Sequence, residues 1–168
     1  MKASSACRRI IRLALMTCCV VWTLPALGGA LEPVLAQATK EKVALLNTLK
    51  DLVSIESGSG DREGLDKLAN LIGGRLQALG GKVEMIESDP ADIYRMVDTP
   101  KQIGKMVLAR FSGTGTKKIL LIAHMDTVYL RGMLAQQPFR IDGNRAYGLG
   151  IADDKQGIAV ILHTLAIL

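Results

Sequence analysis

Thiols are scarce in this sequence and lie near its amino terminus. The three cysteines are Cys7, Cys18 and Cys19, so no cysteine occurs after residue 19. If the amino-terminal segment is removed, the mature protein has no disulfide, no cysteine nucleophile and no cysteine-ligated zinc or iron–sulfur site. Any metal would then be held by histidine, aspartate or glutamate side chains.

Acidic residues are missing from the first part of the chain. The first is Glu32, and four basic residues precede it: Lys2, Arg8, Arg9 and Arg12. They account for most of the formal net charge of +5, because the rest of the chain has 17 basic and 16 acidic residues. A polyanion-binding surface is therefore excluded, and we expect no nucleic-acid partner. With 49% hydrophobic and 22% charged residues, the sequence is typical of a folded domain.

The hydrophobic stretch near the amino terminus is short. Residues 13–27 are uncharged and mostly apolar, but a membrane-spanning helix needs roughly 20 such residues. Basic residues, an apolar stretch and then small residues are typical of an export signal, with cleavage after Ala30 or Ala36. We therefore expect a signal peptide over residues 1–30, a mature domain over residues 37–168, and a periplasmic or secreted protein without stable membrane association. The alternative is an uncleaved amino-terminal membrane anchor.

The spacing of apolar residues predicts two helices in the first half of the mature domain. Three leucines recur at helical spacing over residues 39–54. Asp61 is placed to cap a second helix, whose apolar stripe consists of Leu65, Leu68, Ile72, Leu76 and Leu79. Gly80 and Gly81 follow as a C-terminal stop signal.

Strands are predicted in the middle of the chain, over residues 82–87, 105–111 and 118–123. The third is a continuous apolar run (KILLIA), suited to the buried centre of a sheet. A loop over residues 88–102, a hairpin over residues 139–147 that turns at Asp142 and Gly143, and a last helix from about Asp154 complete the pattern. This order of elements predicts an α/β layered domain.

The last predicted helix is apolar on almost every side. Residues 159–168 (AVILHTLAIL) include no charged residue. Helices of this kind lie in the interior of large proteins, so we expect the chain to be the front part of a longer one.

The residues with the clearest chemical potential lie between positions 124 and 154. His124 and Asp126 directly follow the predicted KILLIA strand, where open α/β sheets place their ligand-binding side chains. Side chains two positions apart on a strand point the same way, so Asp126 could orient the imidazole of His124. Asp153 and Asp154 offer hard oxygen donors at the start of a helix. Taken singly, these residues are better explained as a structural histidine and a pair of helix-capping aspartates.

Two glycine-rich segments superficially suggest nucleotide binding. In the segment GLGIAD, Asp153 occupies the place of the third glycine of a dinucleotide motif. In SGTGTKK, at residues 112–118, the GxxxxGK[ST] spacing is absent. Neither segment therefore indicates a nucleotide site.

Taken together, HMD at residues 124–126 and GLGIADDKQG at residues 148–157 closely resemble the zinc-dependent exopeptidases. This family contains aminoacylases, succinyl-diaminopimelate desuccinylases, dipeptidases and glutamate carboxypeptidases. Within it, the chain looks most like the secreted bacterial glutamate carboxypeptidases that hydrolyse folates. The resemblance covers roughly residues 40–168, including LVSIESGSGD at residues 52–61.

The resemblance implies a role for each matching residue. His124 would bind one of two zinc ions, and Asp153 would bridge both. Asp126 would be the acid that supports the histidine, and this acid is usually counted with the catalytic residues. Gly148 and Gly150 would let the backbone turn sharply beside the site. Asp154 and Lys155 would begin the helix behind it, and cobalt or manganese could replace zinc in such a site. The second histidine, His163, is expected to be packed in the last helix.

The resemblance also implies the fold and the activity. The fold would be a three-layer α/β catalytic domain of which only the amino-terminal part is present, without the lid or dimerisation domain. The full enzyme, expected to be a homodimer, would release a C-terminal amino acid, glutamate in the closest case, from a peptide-like or N-acyl amino acid substrate, folate-type compounds included. The general-base glutamate and the remaining metal ligands would lie beyond Leu168, so this chain alone is expected to be inactive.

Two other functions remain open at this point. A non-catalytic binding module, or a remnant that keeps the front half of the fold, would have the same residues. A non-catalytic envelope protein anchored by its amino terminus is the other possibility.

Overall fold

The computed structural model describes residues 32–168. Residues 36–168 form one compact unit, and of a second unit, residues 1–35, only the start of the first helix is described. The predicted signal peptide and its site after Ala30 lie outside the described residues. The elements in chain order are α1 (Glu32–Val53), α2 (Arg62–Ala78), β1 (Lys82–Ile86), β2 (Met106–Arg110), β3 (Arg140–Asp142), β4 (Arg145–Tyr147) and α3 (Gln156–Ile167).

The first helix is longer than the apolar spacing predicts. It begins at Glu32 rather than near residue 39. Pro33 fits the first helical turn, where no backbone N–H is needed for a hydrogen bond within the helix. The extra turns are exposed, so no apolar stripe marks them in the sequence.

The second helix has the boundaries that its capping residues predict. The carboxylate of Asp61 accepts a hydrogen bond from the backbone N–H of Gly64 at 3.1 Å. Gly80 ends the helix region with φ of 90°, a conformation that costs other residues energy. The predicted stripe is buried from Leu65 to Leu76, whereas Leu79 lies just past the helix and is partly exposed.

Two small antiparallel sheets follow. In the first, β1 pairs with β2, and Glu84 lies opposite Leu108. Helix α2 packs against this sheet at Gly73, where a Cβ atom would collide with the methyl group of Met85. The second sheet is the predicted hairpin of β3 and β4, which turns at Gly143 with φ of 55°.

The core of the described residues is formed by the three helices. Each contributes apolar side chains that solvent hardly reaches: Leu49, Leu52 and Val53 from α1, Leu68, Ile72 and Leu76 from α2, and Ile158, Ala159 and Leu162 from α3. Helix α3 therefore buries one face although its sequence is apolar all round, and Val160 on another face is 52% exposed. None of the helices in residues 32–168 is both long enough and apolar enough to cross a bilayer.

The prediction of a buried strand over residues 118–123 is wrong. This segment has no regular secondary structure, and Ile119 and Ile122 are 84% and 79% exposed. An apolar run becomes a buried strand only when neighbouring strands pair with it and other elements cover it. Within the described residues, the two sheets contain only β1 with β2 and β3 with β4, so this segment has no such neighbour.

The observed architecture is thus mixed α/β, as predicted. The three-layer arrangement stays a prediction, because the described sheets have only two strands each. The start of the last helix is corrected by two residues: α3 begins at Gln156, and Asp154 has a non-helical φ of −130°.

Candidate metal centre

The structure brings the two predicted metal ligands together. His124 Nε2 lies 2.9 Å from Asp153 Oδ1, although the residues are 29 positions apart. The histidine follows the exposed segment 118–123, and the aspartate lies in the turn Ile151–Lys155 that leads into α3. Both side chains are accessible to solvent, with 50% and 82% of their surfaces exposed. One imidazole nitrogen and one carboxylate oxygen therefore lie next to each other where solvent can reach both.

Asp126 lies on the other side of the imidazole. Its Oδ1 is 3.1 Å from His124 Nδ1, and its backbone oxygen is 3.2 Å from the same nitrogen. Burial would lower the pKa of His124, but the hydrogen bonds to Asp153 and Asp126 outweigh it and raise the pKa above its ordinary value. The contact with Asp126 therefore orients the ring so that Nε2 faces Asp153. Metal-binding histidines are commonly oriented by a carboxylate in this way.

Glycines shape the turn that carries Asp153. Gly150 has φ of 68°, and a Cβ on it would collide with the methyl group of Thr127. A Cβ on Gly148 would collide with Val53 of α1. The sharp turn predicted beside the site is therefore observed at Gly150, and the backbone of Gly148 packs closely against α1. The peptide bond between Asp153 and Asp154 is cis.

Lys155 attaches this turn to the end of α1. Its side chain is 1% exposed, and Nζ donates a hydrogen bond to the backbone oxygen of Ile55 at 2.7 Å. Burial lowers the pKa of the Lys155 ammonium to about 8, against the opposing attraction of Glu56. Sequence reasoning assigned Lys155 only to the start of the helix, because its long-range partner is invisible in the local pattern.

Asp154 does not face the imidazole. Its carboxylate lies over Gly157, where a Cβ would collide with it, and α3 has no capping hydrogen bond from a side chain at its N-terminus. The helix-capping interpretation of the aspartate pair is therefore not supported by the geometry. The two carboxylates differ in position, and Asp153 alone of the pair meets His124.

A loop beside the site is held by contacts that sequence reasoning missed. The carboxylate of Glu56 accepts hydrogen bonds from the backbone N–H groups of Gly132 and Leu134, at 2.7 and 2.9 Å, and these bonds lower its pKa. Arg131 binds the carboxylate of Asp61, the cap of α2. The signal available in the sequence was the polar segment at residues 54–61, whose acids lie between two apolar helices.

His163 is away from this site, as predicted. Its Nδ1 donates to Glu41 Oε2 at 2.7 Å, and its Nε2 lies 2.8 Å from Thr48 Oγ1. Both ring nitrogens are therefore occupied by partners on α1. The histidine joins α1 to α3 and offers no free nitrogen to a metal.

The donor set fits part of a zinc site. An imidazole nitrogen and a carboxylate oxygen are ligands that zinc takes, and Asp126 supplies the supporting acid. A catalytic zinc ion normally has three protein ligands. In residues 32–168 no group of three or more His, Cys, Asp or Glu side chains is arranged to hold a metal ion. These residues therefore offer two candidate ligands, whose role in metal binding remains a prediction.

Comparison with known proteins reaches the same part of the chain. Residues 120–168 match the model of Peptidase family M20/M25/M40. The chain is thus similar to these peptidases over this segment. The matched segment contains His124, Asp126 and Asp153, and the resemblance predicted from the sequence is confirmed.

Individual proteins are similar to this chain over more than half of its length. Carboxypeptidase G2 of Pseudomonas sp. (strain RS-16) is 44% identical over 162 residues, which are 96% of this chain and 36% of that protein. Acetylornithine deacetylase of Erwinia tasmaniensis is 33% identical over 69% of the chain and 29% of its own length. Succinyl-diaminopimelate desuccinylase of Corynebacterium glutamicum is 33% identical over 52% of this chain and 24% of its own length. The chain thus spans about a third or less of these relatives.

Proposed function

We propose that this chain forms the amino-terminal part of an exported metallohydrolase, which cleaves an amide bond and releases a C-terminal amino acid. The observation that carries the proposal is the 2.9 Å approach of His124 Nε2 to Asp153 Oδ1, with Asp126 behind the imidazole. The names of the relatives, a carboxypeptidase, a deacetylase and a desuccinylase, support a hydrolase.

His124 and Asp153 would hold the metal, which we propose to be zinc, two ions in the complete enzyme, with cobalt or manganese as substitutes. When bound, such ions supply Lewis acidity toward water and toward the substrate carbonyl. Asp126 would accept a hydrogen bond from Nδ1–H and keep Nε2 turned toward Asp153. Gly150 and the buried Lys155 would hold the carboxylate of Asp153 opposite that nitrogen.

The substrate would be a peptide-like or N-acyl amino acid compound, and the released residue would be glutamate. A folate-type substrate and a homodimeric complete enzyme are proposed from the family resemblance of residues 40–168. Because the described residues supply two ligands, we propose that the general base and the other ligands come from elsewhere. The 168-residue chain alone would then bind zinc weakly and hydrolyse nothing.

Calorimetric titration of the 168-residue chain with zinc tests the metal centre. We expect weak binding that Asp153→Asn and His124→Ala abolish. Asp154→Asn is the matched control, because its carboxylate is adjacent in sequence but does not face His124, and it should bind zinc as the unaltered chain does. Unchanged binding in Asp153→Asn would contradict the proposed centre. A zinc-dependent rate of glutamate release by this chain would contradict its inactivity.

A further inference from the structure

The segment that follows α1 lies alongside the segment that carries His124. Gly58 and Thr127 form a parallel β-bridge. The N–H of Thr127 donates to the backbone oxygen of Ser57 at 2.8 Å, and the N–H of Ser59 donates to that of Thr127 at 2.9 Å. At Gly58 a Cβ would collide with the backbone oxygen of Tyr129, so the two backbones approach as closely as glycine allows. Residues 57–59 are therefore fixed next to the candidate site.

This pairing places the hydroxyl group of Ser59 on Asp126. Ser59 Oγ donates to Asp126 Oδ2 at 2.7 Å, and the backbone oxygen of Thr127 is a more distant acceptor at 3.2 Å. The other oxygen of Asp126, Oδ1, is the one beside His124 Nδ1. A line of hydrogen bonds thus runs from Ser59 through Asp126 to the imidazole, whose far nitrogen meets Asp153.

We infer that Ser59 is a positioning residue, which acts through Asp126 to set the orientation of the His124 imidazole. The terminal torsion of an aspartate side chain has broad, soft minima, so a carboxylate held at one oxygen can still rotate. A second hydrogen bond, on the opposite oxygen, fixes the plane of the carboxylate. That plane determines how well Oδ1 can accept a hydrogen bond from Nδ1–H. The use of this orientation for metal binding rests on the proposed function, but the orientation itself does not.

The hydroxyl group can be separated from the backbone pairing. The N–H of Ser59 that binds Thr127 is present in any non-proline residue, so Ser59→Ala removes only the contacts of Oγ. Ser59→Thr keeps a hydroxyl group and should restore them. Ser54→Ala is a matched control, because Ser54 Oγ donates at 2.7 Å to the backbone oxygen of Lys50 at the end of α1.

The first measurement uses the metal-free 168-residue chain. The populations of the two neutral imidazole tautomers of His124 are measured by ¹⁵N NMR at alkaline pH. Because Nε2 faces the carboxylate of Asp153 and Nδ1 faces that of Asp126, each neutral tautomer keeps one of these hydrogen bonds. We expect the same tautomer populations in the unaltered chain, in Ser59→Thr and in Ser54→Ala. Ser59→Ala should shift the population toward Nε2–H with an unchanged melting temperature. If Ser59→Ala has the same tautomer populations as the unaltered chain, the inference is overturned, whatever metal binding shows.

The second measurement is the affinity for cobalt(II), followed by its visible absorption spectrum. Loss of a group that orients a metal-binding histidine typically weakens binding roughly 10- to 100-fold, and for Ser59, one bond further out, we expect about tenfold. Ser59→Thr should recover most of this loss. Absence of cobalt binding in the unaltered chain, with the tautomer shift present, would refute the proposed metal centre and leave the positioning role of Ser59 supported.

Discussion

Replacement of Gly150 by alanine should destabilise the fold for two separable reasons. Its φ of 68° is in the left-handed region, which costs an L-residue about 1–2 kcal/mol. The new Cβ would also collide with the methyl group of Thr127, and forcing an extra methyl group into a packed site costs about 1–3 kcal/mol. We therefore expect Gly150→Ala to lower the free energy of unfolding by about 2–5 kcal/mol.

Gly143→Ala is the matched control for the backbone contribution. Gly143 also has a positive φ, of 55°, but its Cβ position has no atom within 4 Å. Its replacement should therefore cost only the left-handed strain. The gain from a less flexible unfolded chain is the same in both variants and cancels in the comparison. The difference between the two variants, about 1–3 kcal/mol, measures the close approach to Thr127.

Urea unfolding followed by circular dichroism measures these free energies. Thr127→Ser removes the methyl group but keeps the hydroxyl group, so in combination with Gly150→Ala it should recover much of the steric part. A double-mutant cycle then gives the coupling energy between positions 127 and 150. Equal destabilisation by Gly150→Ala and Gly143→Ala, together with zero coupling, would refute the argument that the turn is fitted against Thr127.

Four further substitutions test other parts of the fold. Leu68→Ala, at a side chain with 0% exposure, should cost about 2–5 kcal/mol in urea unfolding, whereas Leu79→Ala, at 37% exposure, should cost much less. The hydrogen bond from Arg131 lowers the pKa of Asp61, so this carboxylate stabilises the fold above its ordinary pKa of 3.8, and the effect is lost as the pH falls below it. Asp61→Asn should therefore flatten the acid part of the stability–pH curve, and an unchanged curve would contradict the role of this pair. Glu56→Ala should speed amide hydrogen exchange at the two N–H groups that its carboxylate binds, with little change at α3.

The elements that the sequence predicted well are those set by neighbouring residues. A helix cap needs only a carboxylate and an N–H three positions later, so Asp61 could be recognised from its place before the apolar stripe. The hairpin of β3 and β4 is likewise specified by Gly143 and its neighbours. Each signal and its consequence lie within a few residues, and the structure reproduces them.

The failure at residues 118–123 has the opposite cause. The apolar composition of residues 118–123 (KILLIA) indicates that burial would be favourable for this segment. It does not indicate which elements are available to bury it. Pairing and cover come from residues distant in the chain. In the described residues no strand pairs with it, and Ile119 and Ile122 are exposed.

For the candidate site, the sequence determined the kinds of donor and the order in which they occur. His124, Asp126 and Asp153 could be selected from residue type, spacing and family resemblance. Only the tertiary structure showed that the carboxylate of Asp153 lies 2.9 Å from the imidazole, and that Ser59 reaches Asp126. These contacts join residues 29 and 67 positions apart, and their geometry depends on how α1, the glycine turn and residues 57–59 pack together. A linear pattern carries residue chemistry, whereas the direction in which a side chain points across such distances is fixed by packing.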